Sequence, residues 1–74
     1  MAEFELHCSP RDAKGEEIAG RFSIFANFRS WSDAFLRAES ELSQRPGRWL
    51  VVAIRTTRAR KQMRQRIVKI TKAR

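Results

Sequence analysis

The 74-residue sequence predicts a small α+β domain in which one antiparallel sheet, with element order β-β-α-β-β, carries a single helix on one face. Three patterns support this fold. Polar and apolar residues alternate in two segments before residue 29, apolar residues recur at helical spacing between residues 31 and 42, and β-branched residues concentrate after residue 48. The length allows one domain, residues 1–74, whose small core leaves a narrow margin of stability.

The first two strands are predicted from strict alternation. Phe4, Leu6 and Cys8 alternate with polar residues, which predicts a strand over residues 3–8. The same alternation predicts a second strand over residues 20–28. The Pro and Gly residues between these segments are typical of turns, so we expect a hairpin with a long loop.

The helix is predicted over residues 31–44. Ser30 suits the N-cap position, and Asp33 three residues later can complete a capping box. The apolar stripe consists of Trp31, Phe35, Ala38 and Leu42. Pro46 cannot continue the helix, and it therefore marks the end of this element.

Residues 48–57 are predicted to form a central strand, because residues 49–54 are all apolar and a strand covered on both faces has this composition. We assign Leu50, Val52 and Ile54 to the face that packs against the helix, which leaves Trp49 on the opposite face. The expected core comprises Phe4, Leu6, Phe22, Ile24, Phe28, Trp31, Phe35, Leu42, Leu50, Val52, Ile54, Val68 and Ile70.

The C-terminal segment has two interpretations. Residues 66–72 are rich in β-branched side chains and predict a strand that returns beside residues 48–57, with a basic loop or turn over residues 58–65. Apolar residues from Ala59 to Ile70 also fall at helical spacing, so a helix over residues 58–71, with element order β-β-α-β-α, is the alternative. We favour the hairpin because several cations would crowd the positive N-terminal end of such a helix.

The charge of the chain is unevenly divided. Residues 1–44 contain all eight acidic residues and five bases, whereas residues 45–74 contain eleven bases and no acid, giving the net charge of +8. An acid-free basic segment attracts polyanions through its electrostatic field. We therefore predict that phosphates or an acidic partner are bound by Arg48, Arg55, Arg58, Arg60, Lys61, Arg64, Arg66 and Lys69.

Two aromatic residues are predicted to extend this surface. If Leu50 faces the helix, Phe25 and Trp49 share the other face of the sheet with Arg21 and Arg55. They would then form a stacking platform for unpaired bases, or a second core face or subunit interface. The sequence fits both interpretations.

The sequence lacks the residue groups that catalysis requires. His7 and Cys8 are the only His and Cys, and as neighbours on a strand they point to opposite faces. The sequence contains neither a set of metal ligands with workable spacing nor a Gly-rich phosphate loop. We expect no catalytic residue, no metal and no cofactor, and hence no enzyme.

The same sequence predicts the compartment of the protein. It contains no run of about 18 apolar residues, and its N-terminus lacks the basic and apolar regions of a signal peptide. Cys8 cannot form an internal disulfide. We therefore expect a cytoplasmic protein that does not bind membranes.

These features together predict a non-enzymatic nucleic-acid-binding module whose C-terminal Arg-rich surface contacts phosphates. RNA or a single strand is favoured over duplex DNA, because the helix exposes acids and suits a groove poorly. The alternative is a small protein–protein adaptor or inhibitor that docks a basic patch on an acidic or ribonucleoprotein host complex, as phage or mobile-element accessory proteins do. The small core also allows a homodimer.

Overall fold

A computed structural model provides the structure of the protein and describes residues 2–71. The elements are β1 (Ala2–Arg11), β2 (Phe22–Phe28), α1 (Trp31–Leu42), β3 (Gly47–Thr56) and β4 (Lys61–Ile70). The predicted β-β-α-β-β order is confirmed, and the alternative with a second helix is wrong. Residues 1 and 72–74 of the predicted domain, and with them the end of the predicted strand 66–72, lie outside the described residues.

The four strands form one antiparallel sheet in the order β2-β1-β3-β4. β1 pairs with both β2 and β3, so these two strands run parallel to each other on either side of it. α1 connects them and packs on one face of the sheet. β3 lies inside the sheet, between β1 and β4, which confirms its predicted central position.

The core lies between α1 and the sheet face that it covers. Its buried members are Phe4, Leu6, Cys8, Ala34, Phe35, Ala38, Leu42, Trp49, Val51, Ala53 and Val68. The ring of Phe4 contacts Phe28 and Trp31 edge-on, at centroid distances of 5.8 and 5.3 Å. Phe4 therefore joins β1, β2 and the first turn of α1.

The predicted orientation of β3 is wrong. The helix side carries Trp49, Val51 and Ala53, and the opposite side carries Leu50, Val52 and Ile54. Residues 49–54 are apolar on both sides of the strand, so their alternation does not select a face. The pairing with β1 selects it, because Cys8 is directly opposite Val51 and directly paired residues point to the same face.

Both ends of α1 are capped. The hydroxyl of Ser30 accepts a hydrogen bond from the backbone N–H of Asp33 at 3.2 Å, which confirms the predicted N-cap. The helix ends at Leu42, two residues before the predicted end at residue 44. The backbone N–H of Ser43 donates to the Ser40 carbonyl, and Gly47, at φ +115°, begins β3 with a conformation that favours glycine.

A turn at residues 57–60 joins β3 to β4. The Thr57 backbone N–H donates to the Arg60 carbonyl at 2.9 Å, and the Thr57 hydroxyl accepts from the Arg60 backbone N–H at 3.2 Å. The hydroxyl thus supplies the turn chemistry in a segment without Gly, Pro, Asn or Asp. Because the turn is tight, β4 begins at Lys61 instead of residue 66, and most of the predicted loop over residues 58–65 is strand.

β1 extends three residues beyond its predicted end, because residues 9–11 continue to pair with β3. The connection to β2 then begins with Asp12, whose side-chain oxygen accepts hydrogen bonds from the backbone N–H groups of Lys14 and Glu16, both at 2.9 Å. β2 begins at Phe22, later than the predicted residue 20.

Candidate functional site

The sheet face away from α1, here called the open face, is not covered by any element within residues 2–71. Its apolar side chains are Phe25, Leu50, Val52, Ile54, Met63 and Ile67. Phe25, Met63 and Ile67 are 66%, 68% and 53% exposed. Cross-strand pairing sets Ile54 beside Met63 and Leu50 beside Ile67. The open face therefore has a continuous aliphatic centre, and exposed apolar surfaces of this kind mark interaction sites.

Polar residues of β1 and β2 separate Phe25 from this aliphatic centre. Glu5 lies directly between Phe25 and Ile54 in the sheet. His7 joins Ser23 to Glu5, with Nδ1 at 3.1 Å from the Ser23 hydroxyl and Nε2 at 3.3 Å from the Glu5 carboxylate. The His7 and Phe25 rings meet edge-on at a centroid distance of 6.4 Å, so this polar group lies beside the exposed aromatic ring.

Ser23, His7 and Glu5 follow the order of a nucleophile, base and acid. They lie on the flat surface of the sheet, and the two cavities at the ends of the sheet include none of them. A catalytic serine needs a substrate pocket and donors for the oxyanion, and neither of these two cavities provides them at Ser23.

A row of cations lies at one end of the open face. This end is here called the Lys69 end. Arg11, Arg48 and Lys69 are directly paired across β1, β3 and β4. With Asp12 they line an open cavity of about 370 Å³. Directly opposed like charges destabilise a sheet, so an anion bound here would relieve their repulsion.

A second cationic cavity, of about 480 Å³, lies at the opposite end of the sheet, beside the β3–β4 hairpin. Its lining residues are Ala2, Glu3, Asn27, Arg29, Arg55, Thr56, Thr57 and Arg58. The Nε of Arg55 is buried and has no hydrogen-bond partner within residues 2–71. Lys61 lies on the open face next to this hairpin cavity, where it pairs with Thr56, and Arg60 is exposed in the turn.

Arg64 and Arg66 lie on the helix side of the sheet, as Arg55 does through its pairing with Phe4, and away from Arg48, Lys61 and Lys69 on the open face. The guanidinium of Arg64 lies 4.7 Å from the centroid of the Trp31 ring, and that of Arg66 lies 4.4 Å from the centroid of the Phe35 ring. Arg66 also lies 3.6 Å from the Glu39 carboxylate. Their predicted placement on one phosphate-binding surface with Arg48 and Lys69 is therefore wrong, because alternation along β4 sends them to the other face.

Trp49 does not share a surface with Phe25. It is only 6% exposed and packs edge-on against Phe22 at 5.8 Å, inside the core. The predicted platform of two aromatic residues is therefore wrong, and among residues 2–71 it is Phe25 that contributes an exposed phenyl ring to the open face.

Two cations of the cavities, Arg11 and Arg29, lie outside the acid-free segment and were not predicted. Arg11 and Arg29 lie in the N-terminal half, where bases and acids are mixed, so the sequence pattern does not distinguish them from other surface charges. Only the pairing of β1 with β3 places Arg11 beside Arg48. The packing of the β2–α1 connection brings Arg29 to the hairpin cavity.

Cys8 is fully buried, and burial raises the pKa of its thiol from 9.0 to about 11. The folded state therefore favours the protonated thiol, and the stability that this provides is lost as the pH rises from about 9 through 11. We expect the free energy of unfolding to fall over this range. Denaturant titrations at several pH values would measure the fall, which should be smaller in Cys8→Ala. An equal fall in both proteins would contradict this assignment.

Comparison with models of known protein families, with curated proteins and with solved structures found no match. Within residues 2–71, no helix has the length and apolar character needed to cross a membrane. The same residues contain no group of three or more His, Cys, Asp or Glu side chains arranged to hold a metal ion. The open face and the two cationic cavities are therefore the features from which a function can be inferred.

Proposed function

We propose that the protein is a non-enzymatic nucleic-acid-binding module that holds RNA or another single strand on its open face. One observation carries this proposal: an exposed aromatic ring and an aliphatic centre lie between cations at both ends of the same sheet face. Single-strand binders combine these two elements, since bases pack on aromatic or apolar side chains while cations contact the backbone.

The distribution of charge supports one path for the bound strand. Arg48, Lys61 and Lys69 lie on the β3–β4 side of the open face, whereas Glu3 and Glu5 lie on β1. Phosphates would follow the β3–β4 side, and the bases would point across the sheet toward Phe25. Arg48 and Thr56 are eight residues apart on β3, a span of roughly 27 Å that a short single strand can cover.

The helix supports a single strand over duplex DNA as the partner. The exposed side of α1 carries Glu39 and Glu41, and Arg37 hydrogen-bonds to Glu41 at 3.1 Å. An acidic helix surface repels phosphates and fits poorly into a major groove.

Salt dependence tests the proposal directly. We expect a fluorescein-labelled single-stranded RNA to bind at 50 mM salt, with an affinity that falls as salt increases. If Arg11, Arg48, Lys61 and Lys69 each contact one phosphate, log affinity should fall with log salt at a slope of about −3 on a single strand. Duplex DNA of the same sequence should bind more weakly. Absence of RNA binding at 50 mM salt would refute the proposal.

Phe25 provides a test of base packing. Phe25→Ala should weaken single-strand binding by about 1–3 kcal/mol, the usual contribution of an aromatic residue that stacks on a base. The matched control is Leu36→Ala, which removes a 61% exposed apolar side chain from α1 on the other side of the sheet. The control should bind like the native protein in the same anisotropy titration, whereas equal affinity of the Phe25 variant would exclude stacking on this ring.

A protein partner is the second candidate, and the aliphatic composition of the open face favours it. Among residues 2–71, the open face carries five aliphatic side chains and one exposed phenyl ring, that of Phe25. The aliphatic side chains are those of Leu50, Val52, Ile54, Met63 and Ile67. An adaptor or inhibitor would dock this face and its flanking cations on an acidic or ribonucleoprotein host surface. Capture of partners from nuclease-treated and untreated lysates separates the two candidates. Partners that stay bound after nuclease treatment, and that Met63→Glu no longer captures, favour the adaptor. Partners that nuclease treatment removes favour nucleic acid.

A further inference from the structure

The hairpin cavity has the composition of a phosphate site. Three guanidinium groups, those of Arg29, Arg55 and Arg58, line it together with the neutral polar side chains of Asn27 and Thr56. We propose that this cavity binds the terminal phosphate, a phosphomonoester, of a nucleic-acid strand held on the open face. The inference deepens the proposed function and depends on it.

Arg55 offers the cavity a buried hydrogen-bond donor without a protein acceptor among the described residues. Its Nε–H is buried, and no acceptor within residues 2–71 receives a hydrogen bond from it. Buried donors almost always have a partner, and a phosphate oxygen is a strong acceptor for a guanidinium donor. Arg29 and Arg58 are exposed, come from two different connections and line the same cavity, so both can contact an anion bound there.

The charge of the cavity matches a terminal phosphate better than an internal one. Three arginines and Glu3 give 3 − 1 = +2, and no ion pair joins Glu3 to an arginine within the described residues. A phosphomonoester carries about −1.5 to −2 at pH 7 and offers three terminal oxygens. An internal phosphodiester carries one negative charge and offers two such oxygens.

The cavity is continuous with the open face, which favours the end of a strand over a free phosphate or a phosphorylated side chain. Glu3 and Thr56 both line the cavity and point to the open face, where they pair across β1 and β3. Asn27 of the cavity is two residues from Phe25 on the same face of β2, a separation of roughly 7 Å. A terminal phosphate in the cavity would therefore bring the terminal base next to the Phe25 ring.

The experiment compares three labelled RNA oligonucleotides of one sequence: with a 5′-phosphate, with a 3′-phosphate and with both ends as hydroxyls. The native protein should bind at least one phosphorylated form about tenfold more tightly than the hydroxyl form, as a charge-assisted hydrogen bond predicts. The double variant Arg29→Ala/Arg58→Ala should lose this preference, and both changes are at exposed positions, where substitutions usually change stability little. Lys69→Ala, at the opposite end of the sheet, should weaken all three oligonucleotides equally and keep the preference.

Three other results would overturn either the terminal-phosphate site or the proposed function. Equal affinity of the native protein for the three oligonucleotides would overturn the terminal-phosphate site while leaving the proposed function intact. No binding of any oligonucleotide would refute the proposed function itself. Competition by inorganic phosphate or by a phosphoserine peptide at the concentration of the oligonucleotide would overturn the assignment to a strand, because the phosphate alone would then account for the affinity.

Discussion

Replacing Phe4 with Ala is expected to lower the free energy of unfolding by about 3–5 kcal/mol, the usual cost of removing a buried phenyl ring. Phe4 is fully buried, and its ring contacts Phe28 and Trp31. A domain of this length has a total stability of only about 4–11 kcal/mol, so this substitution removes a large part of it. Urea denaturation followed by Trp fluorescence would measure the change.

Phe25→Ala is the matched control for this prediction. It removes the same ring from the neighbouring strand, but Phe25 lies on the open face and is 66% exposed. Surface substitutions of this kind usually change stability by no more than about 0.5 kcal/mol. Equal destabilisation by the two substitutions would contradict the position of the core between α1 and the sheet.

Replacing both Arg48 and Lys69 with Ala is expected to weaken single-strand binding by about 100-fold or more, since each hydrogen bond to a charged group contributes about 1.5–3 kcal/mol. Both residues belong to the row of three paired cations at the Lys69 end. Their removal relieves repulsion with Arg11, so stability should be unchanged or slightly higher. Anisotropy titration and thermal denaturation of the same protein would report both effects.

Replacing Arg64 and Arg66 with Ala removes the same net charge and therefore serves as the control. These guanidinium groups lie over the Trp31 and Phe35 rings on the helix side. At exposed sites such contacts stabilise by about 0.5–1 kcal/mol each, so the variant should lose stability and retain most of its affinity. If both double variants lose affinity equally, binding depends on overall charge and not on the open face.

The type and order of the elements could be predicted from sequence because local patterns determine them. Alternation identified β1 and β2, and the Ser30 cap with its apolar stripe identified α1. The face of β3 could not be predicted, because residues 49–54 are apolar on both sides and only pairing with β1 selects one. The hairpin turn also lacked a recognisable pattern, since its chemistry resides in the Thr57 hydroxyl.

The candidate site was only partly predictable, for a related reason. The acid-free segment includes Arg48 and Lys69, which lie on the open face, and Arg55 and Arg58, which line the hairpin cavity. Alternation along β4, however, divides its cations between the two faces of the sheet. Cations that are close in the sequence therefore do not all lie on the same surface. Arg11 and Arg29 reach the cavities through pairing and packing, which depend on residues distant in the chain.

The central claim is that a single strand binds on the open face, and methyl NMR with unlabelled single-stranded RNA tests it most directly. β3 contains its own control, because Val51 is buried under α1 and the adjacent Val52 points to the open face. We expect saturable shifts of the Val52, Ile54 and Met63 methyl signals, while those of Val51 and Leu42 stay in place. Shifts confined to the helix side, as at Leu36, would contradict binding on the open face.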